Sequence, residues 1–178
     1  MTFKYNNVYI NESSTVVGPY EYKGPLSKYY DLYYENLKAI NLYDKALKIK
    51  PDYAFAHNNR GVVLAELGRK EDSLTAYNTA IKINPNYADA YYNRGNLKTQ
   101  NNKNEEALED FNTAIKLNPK DAASFNNRGV VKRKLNYNVG ALSDFSIAIR
   151  LDPDDITALA KSSNVYQFKT AIRVSLLG

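Results

Sequence analysis

The sequence of 178 residues contains no cysteine, no tryptophan and only one histidine. Without cysteine the chain can form neither a disulfide framework nor a thiolate metal site, and it has no thiol nucleophile. With His57 as the only histidine, no zinc site of the usual composition can be assembled. The chain also lacks a glycine-rich loop of the kind that cradles phosphates. We therefore expect no bound metal or cofactor and predict that the protein is not an enzyme.

Long apolar runs are also missing. No segment approaches the roughly 18 apolar residues that indicate a membrane span, and the first residues lack the apolar core of a signal peptide. The formal net charge of +5 is modest for this length and favours acidic partners only slightly. These features predict a cytoplasmic protein that does not contact a membrane, and nucleic acid is not the expected partner.

What the chain does have is an internal repeat with a period of 34 residues. Prolines recur at this spacing, and so do two short segments, one ending in Arg-Gly and one built on Ala-Ile followed by a basic residue. Three such copies in register are not expected by chance. The recurring elements are Pro51, Pro85, Pro119 and Pro153; Asn58–Gly61, Tyr92–Gly95 and Asn126–Gly129; Ala80–Lys82, Ala114–Lys116 and Ala148–Arg150.

Each copy has the apolar spacing of two helices, at 54–67 and 73–83 in the first copy. Between them lies Gly68, or Asn102 and Asn136 in the later copies, and these residue types tolerate the left-handed backbone that ends a helix. Asn104 and Asn138 are then candidates to cap the second helix. Because such a helix pair cannot bury its apolar face alone, neighbouring pairs must stack into a solenoid.

Small residues at fixed places indicate close packing within each pair. Gly61, Gly95 and Gly129 fall inside the predicted first helices, where glycine costs about 1 kcal/mol relative to alanine. That cost is tolerated where a second backbone must approach closely. We expect the approach to be made at the small residues of the second helix, which are Ser73, Ala107 and Ala141.

These spacings resemble the tetratricopeptide repeat family, whose pattern combines an aromatic, a glycine, a later alanine and phenylalanine, and a closing proline. The first aromatic place holds His57, Tyr91 and Phe125, so we expect a packing role for His57. The family's leucine place holds arginine instead, at Arg60, Arg94 and Arg128. The resemblance implies an all-α fold, an α-solenoid of antiparallel helix pairs. It does not explain the arginines, for which pairing with nearby carboxylates and contact with a ligand remain alternatives.

The repeat divides the chain into six predicted segments. The first is polar, without helical period, and is predicted to be a flexible or extended tail that could also dock in a groove. The second is a degenerate repeat in which Gly24 and Pro25 interrupt the first helix, so that a helix is expected from about Leu26. The last carries an apolar stripe and is predicted to be a capping helix. The segments are 1–19, 20–53, 54–87, 88–121, 122–155 and 156–178.

The resemblance also implies that the first helix of each pair lines a concave groove. Asn59, Asn93 and Asn127 share one place in the repeat and would form a row along it. Because an amide both donates and accepts hydrogen bonds, such a row could hold the backbone of an extended peptide. It is similar to the asparagine ladder in the repeat domain of O-linked N-acetylglucosamine transferases. The other residues predicted to line this peptide-binding site are Phe55, Asn58, Val62, Tyr92, Asn96, Asn126, Val130 and Arg133.

Several alternatives remain open. The asparagines could instead bond neighbouring helices. Asn96 and Asn127 also match places at which some family members grip a terminal carboxylate of heat-shock chaperones, with Tyr92, Thr157 and Lys161 at the expected cationic places. The predicted partner is therefore another protein or peptide. Self-association into a homo-oligomer through the tail or the terminal helix is the second hypothesis. The third is nucleic-acid binding through a basic cluster, Arg128, Lys132, Arg133 and Lys134.

Overall fold

The computed structural model describes residues 2–5, 8–11 and 27–153. The first two ranges form an antiparallel hairpin of β1 (Thr2–Tyr5) and β2 (Val8–Asn11), in which Phe3 is opposite Ile10. This hairpin lies within the segment predicted as a tail. The predicted capping helix at 156–178 lies outside the described residues.

A single helix, α1 (Ser27–Ile49), follows. It begins close to the residue at which the sequence predicts a helix, two residues after Pro25. Because α1 continues without a turn into the segment that corresponds to a second helix, the degenerate repeat does not form an antiparallel pair of its own within the described range. Six shorter helices complete the described part of the chain.

These six helices form three antiparallel pairs, one in each predicted repeat. The first helices are α2 (Ala54–Glu66), α4 (Ala88–Gln100) and α6 (Ala122–Lys134). The second helices are α3 (Lys70–Ile83), α5 (Asn104–Leu117) and α7 (Asn138–Leu151). Each second helix also packs on the first helix of the next pair. The prediction of an all-α solenoid is confirmed.

The turns inside the pairs have the predicted left-handed backbone. The φ angle is 74° at Gly68, 59° at Asn102 and 63° at Asn136. The predicted capping role of Asn104 is wrong, because Asn104 is already the first residue of α5 and makes no cap bond. Its Oδ1 atom is buried and has no hydrogen-bond partner. Acidic residues such as Glu105 in the first turn still suit the positive end of the helix dipole.

The core of each pair is an aromatic ring placed against the helical glycine. A Cβ atom added to these glycines would lie only 2.7 to 3.1 Å from the nearest ring carbon. The prediction that a small residue makes the close approach is therefore incomplete, because the ring fills the space that the missing side chain leaves. Ser73 does approach the backbone, since its hydroxyl donates to the Gly61 carbonyl at 2.7 Å. The ring contacts are Gly61–Tyr77, Gly95–Phe111 and Gly129–Phe145.

None of the helices that the structure describes combines the length and the apolar character needed to cross a bilayer.

Candidate functional site

The first helices of successive pairs lie side by side. α2 packs directly on α4, and α4 on α6, whereas the described second helices make no comparable contact with one another. A stack in which one layer of helices is in closer contact than the other curves towards the closer layer. The surface formed by α2, α4 and α6 is therefore the concave one, and we call it the groove. All of the predicted site residues lie on these three helices.

Asparagine side chains join α2 to α4 across the groove. The Asn93 Nδ2 atom donates to Asn58 Oδ1 at 3.1 Å, and Asn58 Nδ2 donates in turn to Asn59 Oδ1 at 3.1 Å. Asn58 Nδ2 also reaches the Tyr87 hydroxyl at 3.5 Å. Burial, reinforced by the nearby Asp89 carboxylate, raises the pKa of Tyr87, so the phenol stays protonated at neutral pH. This seam is thus made of neutral hydrogen bonds.

A second set of bonds joins α4 to α6. Asn127 Nδ2 donates to Asn96 Oδ1 at 2.8 Å and to the Tyr92 hydroxyl at 3.2 Å. Both seams pair a residue with one that lies 35 positions further along, because Asn58 meets Asn93 and Tyr92 meets Asn127. Asn93 and Asn127 therefore bond neighbouring helices, as the alternative interpretation expects, whereas Asn59 bonds only Asn58 on its own helix.

The same side chains keep a second hydrogen-bonding atom that the seams do not use. Asn59 and Asn96 accept within the seams and keep their Nδ2 atoms, while Asn93 and Asn127 donate and keep their Oδ1 atoms. None of these four atoms has a partner among the described residues. All four side chains are partly exposed. The groove therefore carries two free donors and two free acceptors at fixed positions.

Two other predicted polar residues are not accessible. Asn58 is only 3% exposed and Asn126 only 4% exposed, so their amides lie inside the stack instead of on its surface. Asn126 Oδ1 is buried without a hydrogen-bond partner. The spacing of the repeat could not separate Asn58 and Asn126 from Asn59 and Asn127, because a period identifies equivalent positions but does not give the side of the helix that faces the groove.

The predicted apolar residues divide in a similar way. Phe55 is half exposed, and its ring centroid lies 5.8 Å from that of Tyr53 at the N-terminal end of α2. The Tyr92 ring instead packs edge-on against Phe111 at 6.1 Å, so it offers mainly its hydroxyl. Val62 is partly buried, and Val130, also partly buried, packs on Ala141 and Phe145. The open aromatic surface is therefore formed by Phe55 and by Tyr53, which the sequence did not indicate.

Arg94 and Arg128 bind buried carboxylates inside their helix pairs. Arg94 forms a bidentate pair with Asp110, at 2.9 Å from Nε and 2.6 Å from Nη2, and Lys98 approaches the same carboxylate at 2.9 Å. The third repeat matches it, with Arg128 and Lys132 on Asp144. The expectation that the arginines pair with carboxylates is confirmed. Sequence reasoning missed the two aspartates, although both occur at one repeat position on an otherwise apolar helix face.

These pairs also change the basic cluster at the end of α6. Arg128 and Lys132 share the single carboxylate of Asp144 and are partly buried, whereas Arg133 and Lys134 are exposed. Neither of these two has an ion-pair partner within residues 27–153. Asp144 thus offsets one of the four positive charges of the cluster, and the two cations that keep no carboxylate partner among the described residues are Arg133 and Lys134.

Family models match most of the described helices. Residues 35–68 and 63–102 match a model described as a TPR repeat, and residues 88–121 match one described as the tetratricopeptide repeat. No curated protein matches the chain.

Solved structures match the fold over most of the chain. MamA matches with 21% identity and a TM-score of 0.70, covering 84% of this chain and 86% of MamA. The first TPR of Spaghetti (RPAP3), bound to the HSP90 peptide SRMEEVD, matches with 20% identity and a TM-score of 0.64 over 66% and 93%. The Arabidopsis OM64 TPR domain matches with 22% identity and a TM-score of 0.63 over 65% and 95%. At these identities the likeness concerns the fold.

Proposed function

The chain belongs to the tetratricopeptide repeat family, and we propose that it is a non-catalytic binding module whose groove holds an extended segment of a partner protein. The observation that carries this proposal is the set of four unpaired amide atoms on Asn59, Asn93, Asn96 and Asn127. An extended peptide presents N–H and C=O groups in alternation, and two donors with two acceptors can satisfy them without reading side chains.

The seam hydrogen bonds favour this role because they fix the amides before a ligand arrives. Asn127 is held by Asn96 and Tyr92, and Asn93 by Asn58. A side chain that is already ordered loses less conformational entropy on binding, which improves affinity. The bonds between helices and the contact with a peptide are therefore compatible functions of one amide, each using a different atom.

The ends of the groove differ in chemistry. The Phe55 and Tyr53 rings lie at the α2 end, and the unpaired cations Arg133 and Lys134 lie at the α6 end. These features suit a segment with an apolar side chain near one end and an acidic one near the other. A related TPR domain bound to a peptide supports the class of function, since the RPAP3 structure holds an HSP90 peptide.

Backbone capture is favoured over a grip on a terminal carboxylate. Two of the five relevant places, Asn96 and Asn127, are occupied as that mode requires, but they bond to each other. Tyr92 supplies a neutral hydroxyl where a cation is needed. Thr157 and Lys161, at the remaining places, lie outside the described residues.

The test is the triple variant Asn59→Ala, Asn93→Ala and Asn127→Ala. Each neutral hydrogen bond contributes about 0.5–1.5 kcal/mol, so the loss of three should weaken peptide binding at least about tenfold. Peptides are first selected on the wild-type chain from a random library, and their affinities are then measured by fluorescence anisotropy. Because Asn93 and Asn127 also join helices, the assay is run well below the melting temperature of the variant.

A matched control replaces two asparagines that also recur in the repeat but lie outside the groove. Asn78 and Asn112 lie on the second helices α3 and α5, where they accept hydrogen bonds from Arg94 and Arg128. The variant Asn78→Ala with Asn112→Ala should bind the selected peptides as the wild type does. Unchanged affinity of the triple groove variant, with its helix content intact, would refute backbone capture by the asparagine row.

A further inference from the structure

The second half of α1 has the sequence register of a second helix, but the described residues contain no first helix of its own pair. Ala39, Tyr43 and Ala46 occupy the places that Ala107, Phe111 and Ala114 occupy in α5. The three α5 residues are buried, at 0 to 1% exposure, by contact with the first helix of their own pair. Because α1 is continuous from Ser27 to Ile49, no helix within residues 27–153 folds back on it to form such a pair, and its principal contact among the described helices is with α2.

This side of α1 is consequently open. Its large apolar residues Leu32, Leu42 and Ile49 are 54%, 65% and 87% exposed. The position of Leu42 corresponds to Asp110, which is 3% exposed in its complete repeat. Apolar side chains grouped on one helix face usually mark an interaction surface. We call this surface the open face of α1; it consists of the exposed residues Leu32, Leu42 and Ile49 and the partly buried residues Ala39, Tyr43 and Ala46.

Charged residues on the solvent-exposed side of α1 are segregated by sign along the helix. Asp31 and Glu35 are exposed in the first half of α1, and Lys38, Lys45 and Lys48 are exposed in the second half. Glu35 is paired only with Lys38, three residues away, at an exposed site where an ion pair contributes little. Asp31, Lys45 and Lys48 have no ion-pair partner within residues 27–153.

A helix with this arrangement is complementary to a second copy of itself in the antiparallel orientation. The acidic half of each α1 then faces the basic half of the other, and the apolar residues meet between them. A two-fold axis produces both contacts at once, because the same patch is used by each subunit. The small side chains of Ala39 and Ala46 allow the two helices to approach closely.

We propose that the open face of α1 is a dimer interface, formed with α1 of a second copy in antiparallel orientation. The interface is separate from the groove on α2, α4 and α6, so a dimer would present two grooves. The occupant is a second copy, and not an unrelated partner, because the surface is complementary to itself in both charge and apolar character.

The test uses two variants, each of which reverses the sign of two charges on α1. One carries Asp31→Lys with Glu35→Lys, which makes the rim of the open face entirely basic, and the other carries Lys45→Glu with Lys48→Glu, which makes most of it acidic. In an antiparallel dimer each variant repels its own copy, so its dimer dissociation constant should rise at least about tenfold. An equimolar mixture should form a heterodimer at least as tight as the wild-type dimer. Sedimentation velocity over a concentration series measures the dimer dissociation constants of the wild type, of each variant and of the mixture.

Circular dichroism verifies that both variants are folded, and Leu42→Glu provides an independent loss of the apolar contact that the mixture cannot restore. A wild-type chain that remains monomeric at the highest accessible concentration would overturn the proposal, since the face would then serve another partner. It would also be overturned by a dimer that both charge variants leave intact. Peptide affinity of the groove variants is measured separately, so failure of either proposal is distinguishable from failure of the other.

Discussion

The first complete repeat and the two that follow it have the same backbone but fill one part of the interior with opposite chemistry. In the second and third repeats a buried aspartate, Asp110 or Asp144, is held by an arginine and a lysine. In the first repeat the corresponding aspartate and lysine places are occupied by Ala76 and Leu64. Leu64 is fully buried and packs with Ala76 and Ile40 of α1.

The arginine is present in all three repeats, but the helix that carries its carboxylate partner differs. Arg94 and Arg128 bind the aspartate on the second helix of their own pair. Arg60 instead binds Asp44 of α1 at 2.6 Å, at the place where Asn78 and Asn112 serve the later arginines. The Asp44 side chain is 43% exposed, whereas that of Asp110 is 5% exposed. One carboxylate has thus been moved from the interior to the surface.

The comparison shows which properties the repeat requires and which are exchangeable. The glycine–aromatic contact occurs in all three pairs, because the distance between the two helices depends on it. The aspartate and the lysine of the charged triad are replaceable by apolar side chains as long as both change together and the arginine has another carboxylate to bind. A buried carboxylate without its cations is costly, whereas a well-packed apolar substitute often is not.

The largest expected effect follows from breaking one triad. Asp110→Ala leaves Arg94 and Lys98 without their shared carboxylate in a largely buried site. Loss of one member of a buried ionic group typically costs about 3–5 kcal/mol, and we expect the free energy of unfolding to fall by about that amount. Urea denaturation followed by circular dichroism measures the change.

Asp44→Ala is the matched control, because it removes the carboxylate from the equivalent arginine at the surface. Exposed ion pairs contribute about 0.2–1 kcal/mol, so the free energy of unfolding of this variant should fall by no more than that amount. Similar losses in the two variants would show that the interior triad has no special energetic role and that the contrast between the repeats is only one of geometry.

The contrast can be tested further by giving the second repeat the residues that the first repeat has at these places. The variant Asn78→Asp, Lys98→Leu and Asp110→Ala places the arginine's partner on the preceding helix and an apolar pair in the interior. Because no buried charge is then left without a partner, the free energy of unfolding of this variant should differ from that of the wild type by no more than about 1 kcal/mol. Most of the loss caused by Asp110→Ala alone should thus be recovered. A triple variant as unstable as the single one would mean that Leu64 depends on contacts, such as Ile40, that α4 lacks.

Much of this fold could be predicted from the sequence because its determinants are local and periodic. Glycine, alanine and an aromatic at fixed spacing report on helix pairing regardless of what surrounds them. The buried aspartates could not be found in the same way. A charged residue is normally exposed, and its burial depends on partners that lie on another helix, such as Arg94 for Asp110.

The candidate site was predictable to a similar depth. The period of 34 residues identified the asparagine row, since repetition places Asn59, Asn93 and Asn127 at the same position on successive helices. It could not indicate which atom of each amide is used within the stack. That depends on the separation of neighbouring first helices, which brings Asn127 to Asn96 and Tyr92 but leaves its carbonyl oxygen free.

The smallest expected effect lies in the turns, where the first repeat again differs from the others. Gly68 has a φ of 74° where the later repeats have Asn102 and Asn136, and asparagine adopts this conformation more easily than other residues with a Cβ atom. Gly68→Ala should therefore cost about 1 kcal/mol from left-handed strain, although no atom lies within 4 Å of the added Cβ. Gly68→Asn should cost clearly less in the same urea denaturation assay. Equal losses would show that the two turn types are not interchangeable, and that the first repeat needs glycine for a reason other than its backbone angle.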